Sequence, residues 1–175
     1  MRALTWQGRE DVTVTDVPDP VLREASDAVV RITSTAICGS DLHLFSILGP
    51  FIDPGDVLGH EPMGVVEEVG SEVTQLKVGD RVVVPFVIAC GACWMCARGL
   101  HTQCETTQVR EHGSGAALFG YTKLYGQVPG GQAEYGRATP RRGQRQARRV
   151  AGARAPRPEP RPARRDLRPA RRAHA

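Results

Sequence analysis

The chain has 175 residues, 41% of them hydrophobic, which is enough for one domain with an apolar core. The net charge of +4 hides two parts of opposite sign: residues 1–136 carry 9 basic and 17 acidic side chains, whereas residues 137–175 carry 14 arginines and 2 acidic side chains. Because no run of about 18 apolar residues and no signal-peptide core occur, we expect a cytoplasmic protein without a membrane-spanning helix.

Residues 1–136 predict mainly β-structure. Short β-branched runs bounded by turn residues lie at residues 11–15, 28–33, 62–70 and 81–85. A short helix is expected to begin near Ser40 or Asp41, either of which can cap its N-terminus. Many short strands with little helix favour a partly open β-barrel.

Four of the five cysteines lie close together, at Cys90, Cys93, Cys96 and Cys104. Gaps of two residues let neighbouring thiolates converge on one ion, and a longer return segment supplies the fourth. Four sulfur ligands leave no open position, so the pattern predicts a structural zinc site. The alternatives are disulfides or inert thiols, and an iron–sulfur cluster, although ferredoxins place their fourth cysteine sooner and before a proline.

The fifth cysteine suggests a second metal site. Cys38 ends an apolar run, and His60 with Glu61 follows a glycine. Thiolate and imidazole are both zinc ligands and could share one ion if the barrel brings them together. Taken alone, each is more often a buried packing cysteine or part of a solvated turn.

Further motifs tie these positions into one pattern. Gly-Ser-Asp-Leu-His follows Cys38, Gly-His-Glu-Pro surrounds His60, and residues 129–135 are Pro-Gly-Gly-Gln-Ala-Glu-Tyr. With the cysteine cluster, they resemble the zinc-dependent medium-chain alcohol dehydrogenases. Residues 119–126 are similar to the branch related to glutathione-dependent formaldehyde dehydrogenase. The resemblance covers residues 1–136 and implies a GroES-like β-barrel domain.

The resemblance also implies roles for individual residues. Cys38 and His60 would bind a catalytic zinc, with Glu61 as an alternative or transient ligand. Ser40 and His43 would relay the alcohol proton to water. The competing interpretations are that Ser40 is only a helix cap and that His43 is simply exposed.

Two parts of the family pattern have no match after residue 136. These are the third protein ligand of the catalytic zinc, a Cys or Asp, and the glycine fingerprint of the Rossmann domain that binds NAD or NADP. No cofactor-binding residue is therefore assigned.

Residues 137–175 are rich in Arg, Pro and Ala and predict disorder. Since GC-rich codons give these residues when translated out of frame, we hypothesise a frameshift near residue 136. The alternative is a selected segment that binds nucleic acid or another polyanion, although no aromatic residue interleaves its arginines.

By resemblance, the expected activity is NAD(P)-dependent oxidation of a small-molecule alcohol, or of a hydrated or thiol-conjugated aldehyde, and the intact family implies a homo-oligomer. We expect this chain alone to be inactive, because no residue is assigned to hydride-acceptor binding. The alternative functions are a non-catalytic, zinc-stabilised domain and a polyanion-binding protein.

Overall fold

The computed structural model describes residues 1–138 and the backbone of one short strand, Arg148–Arg149. Within these residues the fold is mainly β, with two antiparallel sheets and little helix. The helices are α1 (Gly39–Ser46) and α2 (Trp94–Ala97). Four short 3-10 turns supplement them, at Gly49–Phe51, His101–Gln103, Arg110–His112 and Lys123–Tyr125.

The smaller sheet is a hairpin of β1 (Arg2–Gly8) and β2 (Asp11–Asp16). Trp6 on β1 is buried with Leu44 of α1 and with Leu58, two residues before His60. Leu58 donates its backbone N–H to the carbonyl of Leu4, which holds the same segment against β1. The hairpin therefore fixes the chain that leads into His60.

The larger sheet has the order β6-β3-β4-β5-β7, and all its neighbouring strands are antiparallel. Its strands are β3 (Ala28–Thr35), β4 (Pro62–Val69), β5 (Arg81–Val83), β6 (Tyr135–Ala138) and β7 (Arg148–Arg149). The main core lies against this sheet and includes Val30, Val66, Val82 and Phe119. Thr35 pairs with Pro62, so the end of β3 and the start of β4 lie side by side.

Residues 131–138 join the two sheets. Leu4 donates its backbone N–H to the carbonyl of Gln132, and Glu134 donates its own to the carbonyl of Arg2. The Arg2 and Glu134 side chains also pair, at 3.1 Å. The chain then continues into β6 beside β3, so this segment is the seam between the sheets.

The strands predicted at residues 11–15, 28–33, 62–70 and 81–85 are present, with bounds shifted by a few residues. The described residues form no closed barrel, in agreement with the partly open one that was predicted. The N-cap of α1 is Cys38, whose sulfur accepts the N–H of Ser40, whereas Ser40 or Asp41 was expected there; Asp41 completes the cap by accepting the N–H of Cys38. Neither α-helix in the described part of the chain is long and apolar enough to span a bilayer.

Strand β6 crosses the boundary predicted at residue 136. Arg137 on β6 donates from Nη1 to Oδ2 of Asp27 at 3.0 Å, and the Asp27 side chain is completely buried. The backbone of Arg148–Arg149 also pairs with β5, so two residues of the expected disordered segment lie in the sheet. The other parts of the tail predictions, namely disorder, a frameshift and polyanion binding, concern residues outside the described ones.

The buried Asp27–Arg137 pair predicts an acid-sensitive contribution to stability. Burial raises the pKa of Asp27, but hydrogen bonds from the Arg23 backbone, the Arg137 side chain and the Glu24 backbone outweigh it and leave the pKa below its ordinary value of 3.8. Because the folded pKa is lowered, this contribution is present above the unfolded value and is lost as pH falls through the folded one.

We expect Asp27→Asn to lower the free energy of unfolding by about 2–3 kcal/mol at neutral pH, since it leaves a half-buried guanidinium without its counter-charge. The variant should also lose less stability on acidification. Urea unfolding from neutral to strongly acidic pH measures both effects. Asp19→Asn, which removes a surface pair with the N-terminal amine, is the control and should change stability by less than about 1 kcal/mol. Equal effects of the two variants on the free energy of unfolding would contradict the stabilising role of the Asp27–Arg137 pair.

Candidate functional site

The four clustered cysteines form one compact group. The sulfur atoms of Cys90, Cys93, Cys96 and Cys104 all lie within 4.8 Å of one another. The Cys93 and Cys104 sulfurs are 4.0 Å apart, close to the roughly 3.8 Å that a tetrahedral zinc with Zn–S bonds of about 2.3 Å imposes. The cysteines are free thiols rather than disulfides. Their arrangement fits a zinc ion with a closed sulfur shell.

Local backbone structure places these sulfurs. Helix α2 begins after Cys93, whose sulfur accepts the N–H of Cys96 at 3.5 Å. The Cys90 sulfur accepts the N–H of Cys93, and the Cys104 sulfur accepts the N–H of Cys90 at 3.1 Å. Backbone amides thus point at the sulfurs, and at Cys90 and Cys104 such hydrogen bonds act to lower the pKa of the thiol.

The thiols of this cluster differ in acidity. Burial raises the pKa of Cys96 to about 12, and a hydrogen bond with Cys93 adds to the effect. Burial also opposes ionisation of Cys104, but hydrogen bonds from the Thr107 side chain and from backbone amides lower its pKa to about 6. Zinc binding requires thiolates, so it must displace the remaining thiol protons, and the affinity should fall as pH falls.

A second group joins Cys38, Asp41 and His60, whose ligand atoms also lie within 4.8 Å of one another. The Cys38 sulfur is 3.1 Å from Nε2 of His60, although 22 residues separate them in sequence. Pairing of β3 with β4 brings them together, because Cys38 follows the end of one strand and His60 precedes the start of the other. Thiolate and imidazole are both zinc ligands, so the Cys38 and His60 donors fit this metal.

Asp41 lies behind His60. Its Oδ2 accepts the backbone N–H of Cys38 at 2.8 Å, and its Oδ1 is 3.6 Å from Nδ1 of His60. Both Oδ1 and Nδ1 are buried, and neither has a hydrogen-bond partner in the described part of the chain. A carboxylate facing Nδ1 favours the tautomer that leaves Nε2 free for a metal. Asp41 was predicted only as a possible helix cap, although a capping box would have placed its carboxylate beside Cys38.

The remaining predicted site residues lie around this group. Glu61 is exposed and lines the adjoining cleft, outside the cluster of ligand atoms. Ser40 lines the cleft, and its backbone N–H donates to the Cys38 sulfur at 3.3 Å. His43 is exposed three residues further along α1. The roles suggested for these three side chains therefore stay predictions.

Aromatic side chains border the second group, in a cleft of about 460 Å³. The ring centroids of Phe86 and Tyr121 lie 6.3 and 6.1 Å from that of His60, both edge to face. Burial raises the pKa of Tyr121, and the charges of Tyr125, Cys38 and Asp41 raise it further, so its hydroxyl stays protonated. These aromatic residues were not predicted to be part of the site.

Comparison with known proteins identifies the family of this domain. Residues 24–143 match the alcohol dehydrogenase GroES-like domain family. The chain therefore belongs to the zinc-type alcohol dehydrogenases and contains their GroES-like domain, as the sequence motifs predicted.

Individual relatives agree with this assignment. The chain is 53% identical to the uncharacterized zinc-type alcohol dehydrogenase-like protein AdhB of Bacillus subtilis (strain 168), over 77% of this chain and 35% of that protein. It is 42% identical to formaldehyde dismutase of Pseudomonas putida, over 77% of this chain and 34% of the dismutase. The chain thus spans about a third of the length of the curated relatives it matches.

Solved structures show the same fold. Alcohol dehydrogenase TADH from Thermus sp. ATN1 superposes with a TM-score of 0.71 at 41% identity, covering 79% of this chain and 37% of TADH. A putative zinc-binding dehydrogenase from Sinorhizobium meliloti 1021, solved bound to NADP, superposes with a TM-score of 0.62 at 30% identity, covering 85% and 38% of the two chains.

The two metal groups should hold zinc with different affinities, because four thiolates close one shell whereas the Cys38 group leaves positions open. A chelator should remove metal from the Cys38 group first. We expect Cys38→Ser to abolish only the weaker class of bound zinc and Cys104→Ser to abolish the tight class. Metal analysis during stepwise chelation measures both, and loss of the tight class in Cys38→Ser would show that the assignment is wrong.

Asp41→Asn separates the two contacts of this side chain. The amide oxygen can still accept the N–H of Cys38 and cap α1, but the negative charge facing His60 is lost. We expect zinc affinity at the Cys38 group to fall by about 10- to 100-fold with little change in stability. Competition with a chromophoric chelator gives the affinity, and Asp53→Asn on the surface is the matched control. An unchanged affinity in Asp41→Asn would refute the positioning role.

Proposed function

We propose that this chain forms the zinc-binding catalytic domain of an NAD(P)-dependent alcohol dehydrogenase, which oxidises an alcohol, or a hydrated or thiol-conjugated aldehyde, by hydride transfer. The observation that supports this most strongly is the position of the Cys38 and His60 donor atoms, 3.1 Å apart and bordering an open cleft. Membership of the zinc-type alcohol dehydrogenases supplies the reaction class.

The two metal groups suit different tasks. The four-cysteine group has only sulfur donors, so its proposed role is to stabilise the loop between residues 90 and 104. The group of Cys38 and His60 faces a cleft in which a substrate oxygen has room to bind. A zinc ion bound there would polarise that oxygen and lower the pKa of the alcohol, which favours release of hydride.

Neighbouring residues have supporting roles in this proposal. Asp41 holds the His60 ring in the tautomer that binds metal. Phe86 and Tyr121 pack edge to face with the same ring and reduce access of water to it. The Ser40 hydroxyl takes up the alcohol proton in the cleft while it releases its own proton to His43, which lies three residues later, is exposed, and passes a proton to solvent. Glu61 is proposed as a transient metal ligand from its position on the cleft wall.

Nicotinamide binding is proposed from the family alone. The named strands of the described residues pair only in antiparallel fashion, whereas a Rossmann fold is built on parallel strands. We therefore assign no cofactor-binding residue within residues 1–138. Assembly into homo-oligomers is likewise proposed only by analogy with the family.

The proposal is tested by hydride transfer in two proteins. We expect the 175-residue chain alone to show no turnover, because catalysis requires the alcohol and the nicotinamide to be held near contact distance. A chimera that joins residues 1–138 to the remaining part of the Bacillus subtilis relative should oxidise alcohols. Replacing Cys38 by Ser in the chimera should reduce kcat/KM by about 1,000-fold, since a metal contributes several kcal/mol to the transition state.

Formation of reduced cofactor is measured by absorbance, with primary alcohols and the formaldehyde–glutathione adduct and with NAD and NADP. Alcohol dehydrogenase TADH from Thermus sp. ATN1 serves as the positive control of the assay. Turnover by the chimera that does not depend on Cys38 would contradict the proposed function. Turnover by the 175-residue chain above its own Cys38→Ser variant would contradict only the expectation of inactivity.

A further inference from the structure

The cleft beside Cys38 extends to the four-cysteine group. Its lining includes Cys38 and His60, but also Thr102 and Gln103, which directly precede Cys104. At about 460 Å³ it lies within the range of about 300–1,000 Å³ that is usual for small-molecule sites, and it exceeds what formaldehyde or ethanol would fill. The two ends of the cleft therefore belong to different parts of the fold.

Apolar and aromatic side chains line much of the remaining cleft. They are Phe86, Val87, Ala116, Leu118, Tyr121 and Tyr125. Such a lining favours the burial of an apolar substrate body and offers few polar partners along its length.

The backbone at Gln103 is held in place. Its N–H donates to the carbonyl of Leu100, and the next residue, Cys104, donates to His101, so both belong to one 3-10 turn. Thr102 accepts the N–H of Ala116 at 2.9 Å from the facing chain. The Cys104 sulfur, completely buried, anchors the turn to the cysteine group.

The Gln103 side chain is free to bind a ligand. It is exposed to the cleft, and its carboxamide has no hydrogen-bond partner among residues 1–138. A carboxamide both donates and accepts hydrogen bonds, so it can recognise a hydroxyl, a carbonyl or an amide.

Gly115 leaves space for this carboxamide. A Cβ at Gly115 would lie 2.4 Å from the backbone oxygen of Thr102 and 3.2 Å from Nε2 of Gln103. The first contact is impossible without a backbone shift, so a side chain at Gly115 would displace the turn that carries Gln103.

We propose that the substrate is an alcohol with an apolar body and a hydrogen-bonding group at its far end, and that the Gln103 carboxamide recognises that group. The inference rests on the proposed function, which supplies the metal at Cys38 and His60. Gln103 would then determine specificity from the side of the four-cysteine group, without taking part in hydride transfer.

The test uses the full 175-residue chain loaded with cobalt(II) and two matched series of ligands, alkane-1-thiols and ω-mercaptoalkanamides of increasing length. A thiol that binds the cobalt at Cys38 and His60 adds a sulfur-to-metal charge-transfer band. Difference spectra against the Cys38→Ser variant remove the contribution of the four-cysteine group. Titration of this band gives a dissociation constant for each ligand.

At the length that reaches Gln103, we expect the amide to bind about 5- to 10-fold more tightly than the matched alkanethiol. Gln103→Leu should abolish this preference while the alkanethiols still bind. Gln103→Asn should restore a preference at a greater ligand length, which a merely structural role would not produce. Gln108→Leu is the matched control, because Gln108 lies nearby but outside the cleft lining, and it should keep the preference.

The outcomes distinguish failure of the recognition role of Gln103 from failure of the proposed function. If alkanethiols and amides both bind but no length shows a preference, or if the preference survives Gln103→Leu, the recognition role of Gln103 is overturned and the metal site stands. If no ligand produces a band that depends on Cys38, the proposed function fails, and this inference fails with it.

Discussion

The antiparallel pairing of β3 with β4 is the constraint on which the candidate site depends. Thr35 opposite Pro62 places the end of one strand beside the start of the other, and Cys38 and His60 lie just beyond these positions. The approach is close, because a Cβ at Gly64 on β4 would lie 2.1 Å from the carbonyl oxygen of Arg31 on β3. A shift of one residue in this register would turn every β4 side chain to the opposite face and separate the two metal-binding side chains.

The same few atoms start helix α1 and build the metal group. The Cys38 sulfur caps the helix by accepting the N–H of Ser40, and the same sulfur faces His60. One carboxylate oxygen of Asp41 accepts the N–H of Cys38, and the other faces Nδ1 of His60. Formation of the helix and alignment of the donors are thus one event, and metal binding should order the start of α1.

Features with a local cause could be predicted from the sequence. Strands β2 to β5 follow from β-branched runs between turn residues, and the spacing of the four cysteines anticipated their convergence. Contacts between distant segments could not be predicted: the aromatic neighbours Phe86 and Tyr121 of His60 depend on tertiary packing. The boundary at residue 136 was drawn from composition, which does not show that the arginine at position 137 meets the buried carboxylate of Asp27.

The seam at residues 131–138 has a consequence for the order in which the domain assembles during synthesis. Arg2 on β1 contacts Glu134, which is synthesised 132 positions later. Strand β6, which pairs with β3, is synthesised at about the same point. A ribosome that elongates from the N-terminus therefore synthesises all five cysteines before the seam at residues 131–138 can form. The thiols must therefore stay reduced until residues 131–138 have been synthesised. Because the contacts of this segment join residues far apart in sequence, closure of the domain is a slow step.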